Sequence, residues 1–357
     1  MKKFGEKEFK CFLVLHTDSK IIQLLTGETE DRLAVGISVP KVVKGQFLAS
    51  PIISSGKGAT MANAVYGLSS EYGLNSRVKS MVFDTTASNS QKGSVTLFER
   101  KIGTALLWLA CRHHVPERHI THANEALRGS SKGPDDPLFK RFKECFPMIN
   151  TENRSVWTWP ADQNSWRHQM ATEVLQWASV HMELATWDRE DYRELLELVS
   201  IYLGDIVKRV RKGNVVVVND VIRKPGAIHR ARFMASCLYL LKIFIFNEQI
   251  DADTIDLDEL EDVKVLAEYI ALLHAPYFLQ CPLAVSAPRL DIKFWIDVKD
   301  YKRCFNENQI QFDMLTAVQV SLINRHVSGL VPILVNFWII FKTLDFSTLS
   351  PIFIKHT

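Results

Sequence analysis

Apolar runs and helical stripes alternate along the first 130 residues of the chain. Three runs have the apolar and β-branched composition of strands: Phe9–Leu15, Leu33–Val39 and Gln46–Ile53. Pro51 weakens the third run, because proline cannot donate to a ladder of hydrogen bonds. A helical period begins at Met61 and ends at Gly73, since glycine readily closes a helix. These patterns predict three strands followed by a helix.

Two further strands follow, each ending in a polar cluster. Val78–Phe83 is a short apolar run that ends at Asp84, and Ala105–Ala110 is a second run that ends at Cys111-Arg112-His113-His114. A helical stripe comes after each of them. The order strand, strand, strand, helix, strand, helix, strand, helix is the order of the ribonuclease H fold. We therefore predict an α/β fold in which residues 1–130 form a ribonuclease H-like mixed sheet.

Asp18 and Asp84 follow the first and the fourth of these strands. The two strands are neighbours in a ribonuclease H-like sheet, and the ends of strands are where open α/β sheets bind ligands. Two carboxylates held close together repel each other unless a cation lies between them. The pair is therefore a candidate site for Mg²⁺ or Mn²⁺, which take oxygen ligands. The alternatives are a turn or capping residue at Asp18, and an Asx turn or helix N-cap at Asp84.

Beyond the break at Gly129–Pro137 the chain becomes mostly helical. Tyr192–Val210 carries the clearest apolar stripe, and Asn214–Asn219 indicates one last strand. We predict a helical region over residues 131–300 and an atypical apolar tail over residues 301–357.

Basic residues gather in the stretch 208–232 of the helical region. Its candidates for contact with nucleic-acid phosphates are Arg223, Lys224, His229, Arg230 and Arg232. The ordinary explanation of such a cluster is a solvated face of the protein. The acidic stretch Asp251–Asp262 is a candidate to oppose it.

Composition and charge narrow the class of protein. The chain of 357 residues is 47% hydrophobic and 23% charged, which is typical of a globular protein, and its net charge of +3 does not indicate nucleic-acid binding by itself. Six cysteines without paired spacing favour a reducing compartment, and the N-terminus has no apolar segment of a signal peptide. Val327–Phe341 is apolar but shorter than the ~20 residues of a membrane helix. We expect an intracellular protein that does not enter membranes.

Several phrases of the chain resemble a known family. Phe83–Asn89 and Leu106–His114, FDTTASN and LLWLACRHH, resemble the second acid block and the C-x-x-H block of hAT-type transposases. The whole phrase is closer still to a group of transposon-derived animal proteins. Supporting phrases of the same group are Leu15–Gly27, Gly133–Glu144 and Arg223–Met234. The resemblance runs from about Phe9 to about Asp291.

The resemblance implies roles for individual residues. Asp18 would be the first acid of an Asp-Asp-Glu triad and Asp84 the second, with Asn89, Cys111 and His114 near the site. Arg232-Phe233 stands where such transposases have Arg-Trp. The third acid stays unassigned, because no motif surrounds its helical candidates: Glu259, Glu261 and Glu268.

The implied ancestral activity is metal-dependent cleavage and strand transfer on DNA phosphodiesters, with Mg²⁺ or Mn²⁺ as cofactor. Two acids without a third would bind metal weakly. The alternative is therefore a non-enzymatic remnant that acts as a DNA-binding or protein-interaction module. DNA is the expected partner, a homo-oligomer is an expected assembly, and the nucleus is favoured over the cytoplasm.

Cys111 and His114 also have the spacing of zinc ligands, but a structural zinc site needs four ligands and no second cysteine pair follows. We favour a packing role for Cys111 at the end of its strand. His114 would then cap the next helix or hydrogen-bond near the acids.

Overall fold

The computed structural model describes most of the chain. The described residues are 12–39, 45–84, 93–129, 135–183, 187, 189–211, 214–218, 222–226, 234–280, 287–304 and 313–319. They fall into two compact units, of which the first includes the chain up to Cys111 and the second begins at Arg112. The predicted domain boundary at residue 130 stays a prediction.

Several sequence-based predictions concern residues outside the described ranges. These are Asn89, His229, Arg230, Arg232 and the apolar tail from residue 320 onward, including Val327–Phe341.

The first unit is built on one mixed sheet. Its strands are β1 (Leu13–Gln23), β2 (Thr29–Ser38), β3 (Gln46–Ala49), β4 (Ile52–Ile53), β5 (Val78–Phe83) and β6 (Leu107–Ala110). The strand order is β3-β2-β1-β5-β6, and β4 also pairs with β2. β2 is antiparallel to β1, β3 and β4, whereas β1, β5 and β6 run parallel to one another.

Two helices cover one face of this sheet. α1 (Gly58–Glu71) and α2 (Ser94–Ile102) contribute Val65 and Phe98 to a buried cluster that also holds Leu15 and Met81. Burying such apolar side chains is the main favourable contribution to folding. α2 ends at Gly103, whose φ of 68° lies in the left-handed region that glycine adopts without strain.

Strand β1 is longer than the sequence predicts. It continues past Leu15 to Gln23, so Asp18 lies within the strand and the turn alternative for this residue is wrong. The reason is its partner: ten consecutive residues of β1 pair with β2 through a hairpin that turns at Gly27. Backbone pairing of this extent keeps the polar residues of β1 in an extended conformation, although polar residues such as Asp18 have a low strand propensity.

The second unit is mostly helical. Its helices are α3 (His114–Arg128), α4 (Pro137–Cys145), α5 (Trp166–Met182), α6 (Glu190–Tyr202), α7 (Ala235–Ile245), α8 (Leu257–Tyr269), α9 (Ala275–Gln280) and α10 (Ala287–Arg303). A π-helical turn, Ile270–His274, joins α8 to α9. α7 is buried along nearly its whole length and contributes Leu240 to the same core as Leu195 and Leu266.

The helix predicted over Tyr192–Val210 is too long. α6 ends at Tyr202, and Gly204 follows with a φ of 86°. The chain then forms a separate two-stranded hairpin of β7 (Lys208–Arg211) and β8 (Asn214–Val217). The apolar stripe continued into β7 because Val210 fits a helical period and a strand equally well.

Strand β8 exposes its apolar side chains. Val215 is 51% exposed and Val217 is 60% exposed. Within the described part of the chain, β8 pairs with β7 alone.

No helix among the described residues has the length and the apolar character that crossing a bilayer requires.

Candidate functional site

Asp18 lies in β1, and Asp84 directly follows the end of its parallel neighbour β5. β1 pairs with β5 in a register that matches Leu15 with Met81 and His16 with Val82. β5 ends at Phe83, and this register continued by two residues would set Asp84 opposite Asp18. Neighbouring strands are about 4.8 Å apart, so carboxylates at two such positions are close enough to share a cation.

The two acids belong to the face of the sheet opposite to α1 and α2. Leu13 and Leu15 are buried against those helices, and side chains alternate between the faces of a strand. Asp18 is therefore on the other face, where it is exposed, and Asp84 is half-buried. The N-cap alternative for Asp84 is wrong, because the N-cap of α2 is Gly93.

His16 is a neighbour of the acid pair that sequence reasoning missed. It lies on the same face as Asp18, and its Nε2 is 2.8 Å from the Ser38 hydroxyl on β2. Burial lowers the pKa of the His16 imidazole. The sequence does contain a signal for this neighbour: His16 and Asp18 are two positions apart in one strand, and this spacing places both side chains on the same face.

The donor set of the acid pair fits a hard divalent cation but is small. Carboxylate oxygens are the ligands that Mg²⁺ takes in proteins. Across the described ranges, no group of three or more His, Cys, Asp or Glu side chains is arranged to hold a metal ion. The pair formed by Asp18 and Asp84 would thus supply two of the required ligands, and the roles predicted for both residues stay predictions.

Cys111 and His114 belong to different units. The backbone N–H of Cys111 donates to the Phe83 carbonyl at 2.8 Å, which extends the pairing of β6 with β5. His114 is the first residue of α3, and the N-cap position belongs to His113, without a capping hydrogen bond from its side chain. The capping role predicted for His114 is therefore wrong, and a role near the acids stays a prediction.

The candidates for the third acid lie on α8 in the second unit. Arg141 contacts both carboxylate oxygens of Glu259, at 2.7 and 2.6 Å. Glu268 is only 8% exposed and accepts hydrogen bonds from Arg167 and other donors. Glu261 is 68% exposed at its side chain. Two of the three carboxylates thus already have arginine partners.

Part of the basic stretch is neutralised within the second unit. Arg209 donates to Glu197 at 2.5 and 2.7 Å, and Arg223 lies 2.6 Å from Glu190. Both glutamates belong to α6, and the acidic stretch predicted to oppose these arginines instead supplies Glu259 to Arg141. Lys224 is exposed.

Comparisons with known proteins leave the family unassigned. No protein-family model matches the chain, and no curated protein matches it. Among solved structures, the chain is similar to one from a Drosophila P element transposase strand transfer complex, at 12% sequence identity, over 89% of this chain and 78% of that chain. The TM-score is 0.23, which is too low to indicate a common fold. The function must therefore be argued from the chain's own residues.

Proposed function

We propose that the chain is a transposase-derived protein whose first unit is a ribonuclease H-like domain acting on DNA. Support comes from the sheet order β3-β2-β1-β5-β6 with β2 antiparallel to its neighbours. β3 and β4 both pair with β2 and are separated at Pro51, so they act as one interrupted strand. Counted in this way, the observed order of elements supports the proposed ribonuclease H-like arrangement.

The observation that carries the chemical proposal is the parallel pairing of β1 with β5 up to His16 and Val82; the same register continued by two residues would put Asp18 beside Asp84. In the proposal these two carboxylates hold one divalent cation, Mg²⁺ or Mn²⁺. The bound ion would supply Lewis-acid activation of a phosphodiester. Asp18 stands in β1 and Asp84 directly follows β5, so the proposed ion would lie on the sheet face opposite to α1 and α2.

The substrate in this proposal is DNA, and the protein acts in the nucleus. Lys224 is exposed, so its ammonium is accessible to phosphate groups. Arg223, His229, Arg230 and Arg232 complete the proposed phosphate contacts. Arg223 would exchange the Glu190 carboxylate for a phosphate, a substitution that keeps its charge paired.

A second function is favoured by a separate observation. Glu259 and Glu268 are held by Arg141 and Arg167, so neither is available as a third metal ligand without breaking an ion pair. A protein with only two acids would keep the fold and bind DNA or a partner protein without cleaving. In this alternative the cation has a structural role or is absent.

Titration of the full chain with Mn²⁺, followed by electron paramagnetic resonance, tests the first proposal. Asp18→Asn and Asp84→Asn should each abolish the binding, because each removes one of two charged ligands. Glu71→Gln is the matched control, since Glu71 is an exposed acid at the end of α1 in the same unit. Equal Mn²⁺ affinity in all variants would refute the metal site.

Nicking of supercoiled plasmid DNA in the presence of Mn²⁺ separates the two functions. Nicking by the wild type that is lost in Asp84→Asn supports the proposed nuclease function. Mn²⁺ binding without nicking, together with DNA retention that survives in the Asp18→Asn, Asp84→Asn double variant, supports the non-enzymatic module.

A further inference from the structure

A cavity of about 180 Å³ lies within the second unit, and its lining includes none of the residues invoked in the proposed function. It is lined by α5, the π-helical turn Ile270–His274, α9 and α10. Three aromatic side chains contribute to its lining: Trp177, Tyr277 and Phe294. Three charged side chains contribute as well: Glu173, Lys293 and Asp297. A lining that combines aromatic rings with charged groups is typical of a site that recognises a specific small molecule.

The aromatic part of the lining is held in place by its surroundings. Tyr277 and Phe294 stack with their ring centroids 4.2 Å apart and their planes 13° from parallel. The Tyr277 hydroxyl donates to Asp291 at 2.8 Å, and His119 stacks against Phe294 at 5.6 Å. Rings fixed in this way stay in place without further loss of conformational entropy when a ligand binds.

The charged part of the lining has a surplus of negative charge. Lys293 Nζ lies 2.8 Å from Asp297 and 3.9 Å from Glu173, so one ammonium serves two carboxylates. Burial raises the pKa of the Asp297 carboxyl; Lys293 works against this rise and Glu173 adds to it. Lys293 is 55% exposed at its side chain and long enough to turn outward. A second cation near Asp297 and Glu173 would neutralise the negative charge that Lys293 leaves unbalanced.

The volume limits the size of the occupant. An apolar cavity of about 150 Å³ accommodates benzene. The cavity in this protein thus has room for one aromatic ring, while a short polar chain would extend to the carboxylates.

We propose that this cavity binds a small organic cation, an aromatic ring that carries a short alkylammonium chain. The ring packs among Trp177, Tyr277 and Phe294. The ammonium pairs with Asp297 and Glu173 and displaces Lys293 toward solvent. The ligand is recognised by its positive charge and by its ring together, so molecules that have only one of these features bind more weakly.

Calorimetric titration of the full chain with 2-phenylethylammonium tests this inference. We expect a Kd on the order of 1 mM, a range that suits a ligand of so few atoms. Neutral 3-phenylpropanol and anionic 3-phenylpropionate have similar size and should bind at least about tenfold more weakly, because they lack the charge. Equal binding of the three molecules, or no binding of the cation up to about 10 mM, would overturn the proposal.

Two variants of the rim should act in opposite directions. Asp297→Asn should weaken binding of the cation about tenfold, and Lys293→Gln should strengthen it several-fold, because it removes the competing ammonium. Glu183→Gln, an exposed acid at the end of the same helix α5, should leave the affinity unchanged. Lys293 is largely exposed, so its variant tests the idea even if Asp297→Asn fails to fold. Weaker binding in Lys293→Gln contradicts the exchange of cations.

Discussion

Arg167 holds the carboxylate of Glu268 through both oxygens, with 2.7 Å from Nε to Oε1 and 2.5 Å from Nη2 to Oε2. The Trp157 indole and the Tyr301 hydroxyl each donate to the same carboxylate at 2.9 Å. These hydrogen bonds to Glu268 come from three side chains of the second unit. In the structure this glutamate joins α8 to α5 and α10, and a role as metal ligand would require these contacts to open.

Glu268→Gln should lower the free energy of unfolding by about 2 kcal/mol, because the amide cannot neutralise the half-buried Arg167. Urea unfolding at neutral pH measures the change. Glu261→Gln on the same helix is the control and should have an effect below about 0.5 kcal/mol, since Glu261 is mostly exposed. A variant of Glu268 that is as stable as the control would show that the ion pair contributes nothing.

Arg128 and Asp136 form an ion pair in which the side chains are 6% and 0% exposed. Asp136 also caps α4 by accepting from the backbone N–H groups of Leu138 and Phe139. Arg128→Met should cost about 3–5 kcal/mol, because it leaves a buried carboxylate without its cation. The double variant Arg128→Met, Asp136→Ser removes that charge and keeps a capping hydroxyl, so it should recover most of the loss.

Urea unfolding of the wild type, both single variants and the double variant would provide the coupling energy between Arg128 and Asp136. If the losses of the two single variants simply add in the double variant, the pair is not coupled.

His274 makes stability depend on pH. It is 1% exposed, and burial lowers the pKa of its imidazole from 6.5 to about 3. The unfolded chain therefore binds a proton between these pKa values and the folded chain does not. Stability from this residue is fully present above pH 6.5 and falls as the pH drops toward 3, by about 2 kcal/mol at pH 5.

The measurement compares urea unfolding at pH 7 and pH 5 in the wild type and in His274→Leu. The difference between the two pH values should be smaller by about 2 kcal/mol in the variant, because the other titrating groups are common to both proteins. An identical pH dependence would mean that His274 is accessible to protons in the folded state.

Gly103 and Gly67 should respond to alanine with opposite signs. Gly103 has a φ of 68°, where a side chain strains the backbone, so Gly103→Ala should destabilise the first unit by about 1 kcal/mol. Gly67 is exposed in the middle of α1 and has open space around it, so Gly67→Ala should stabilise by about 0.5–1 kcal/mol. Thermal unfolding measures the Tm of both variants, and a change of Tm with the same sign in both would contradict the prediction.

Much of the first unit's secondary structure could be predicted from local patterns. β5 and β6 are short apolar runs bounded by polar clusters, and the strand order predicted that β1 and β5 are neighbours, in agreement with their pairing. The length of β1 could not be predicted, because it depends on ten residue pairs with β2. The end of α6 was missed for a related reason, since the hairpin after Gly204 is determined by strand pairing.

In the candidate site, too, local patterns predict some features, while others depend on contacts between distant residues. Asp18 and Asp84 are candidates because each follows an apolar run in the sequence, whereas the contact of His16 with Ser38 joins residues 22 positions apart. Glu268 and Arg167 are 101 positions apart, and no local pattern connects them. Side-chain partnerships over such separations depend on the packing of whole helices, which a single sequence does not reveal.

The valines of β8 have a consequence for how the protein behaves at high concentration. β7 carries Lys208, Arg209 and Arg211, and positive charges on a strand discourage other strands from adding to it. β8 lacks any such charge and exposes Val215 and Val217. Among the described residues the outer edge of β8 has no partner strand and could receive another extended polypeptide, so crowding would promote aggregation through it, and Val215→Lys would improve solubility without touching the core.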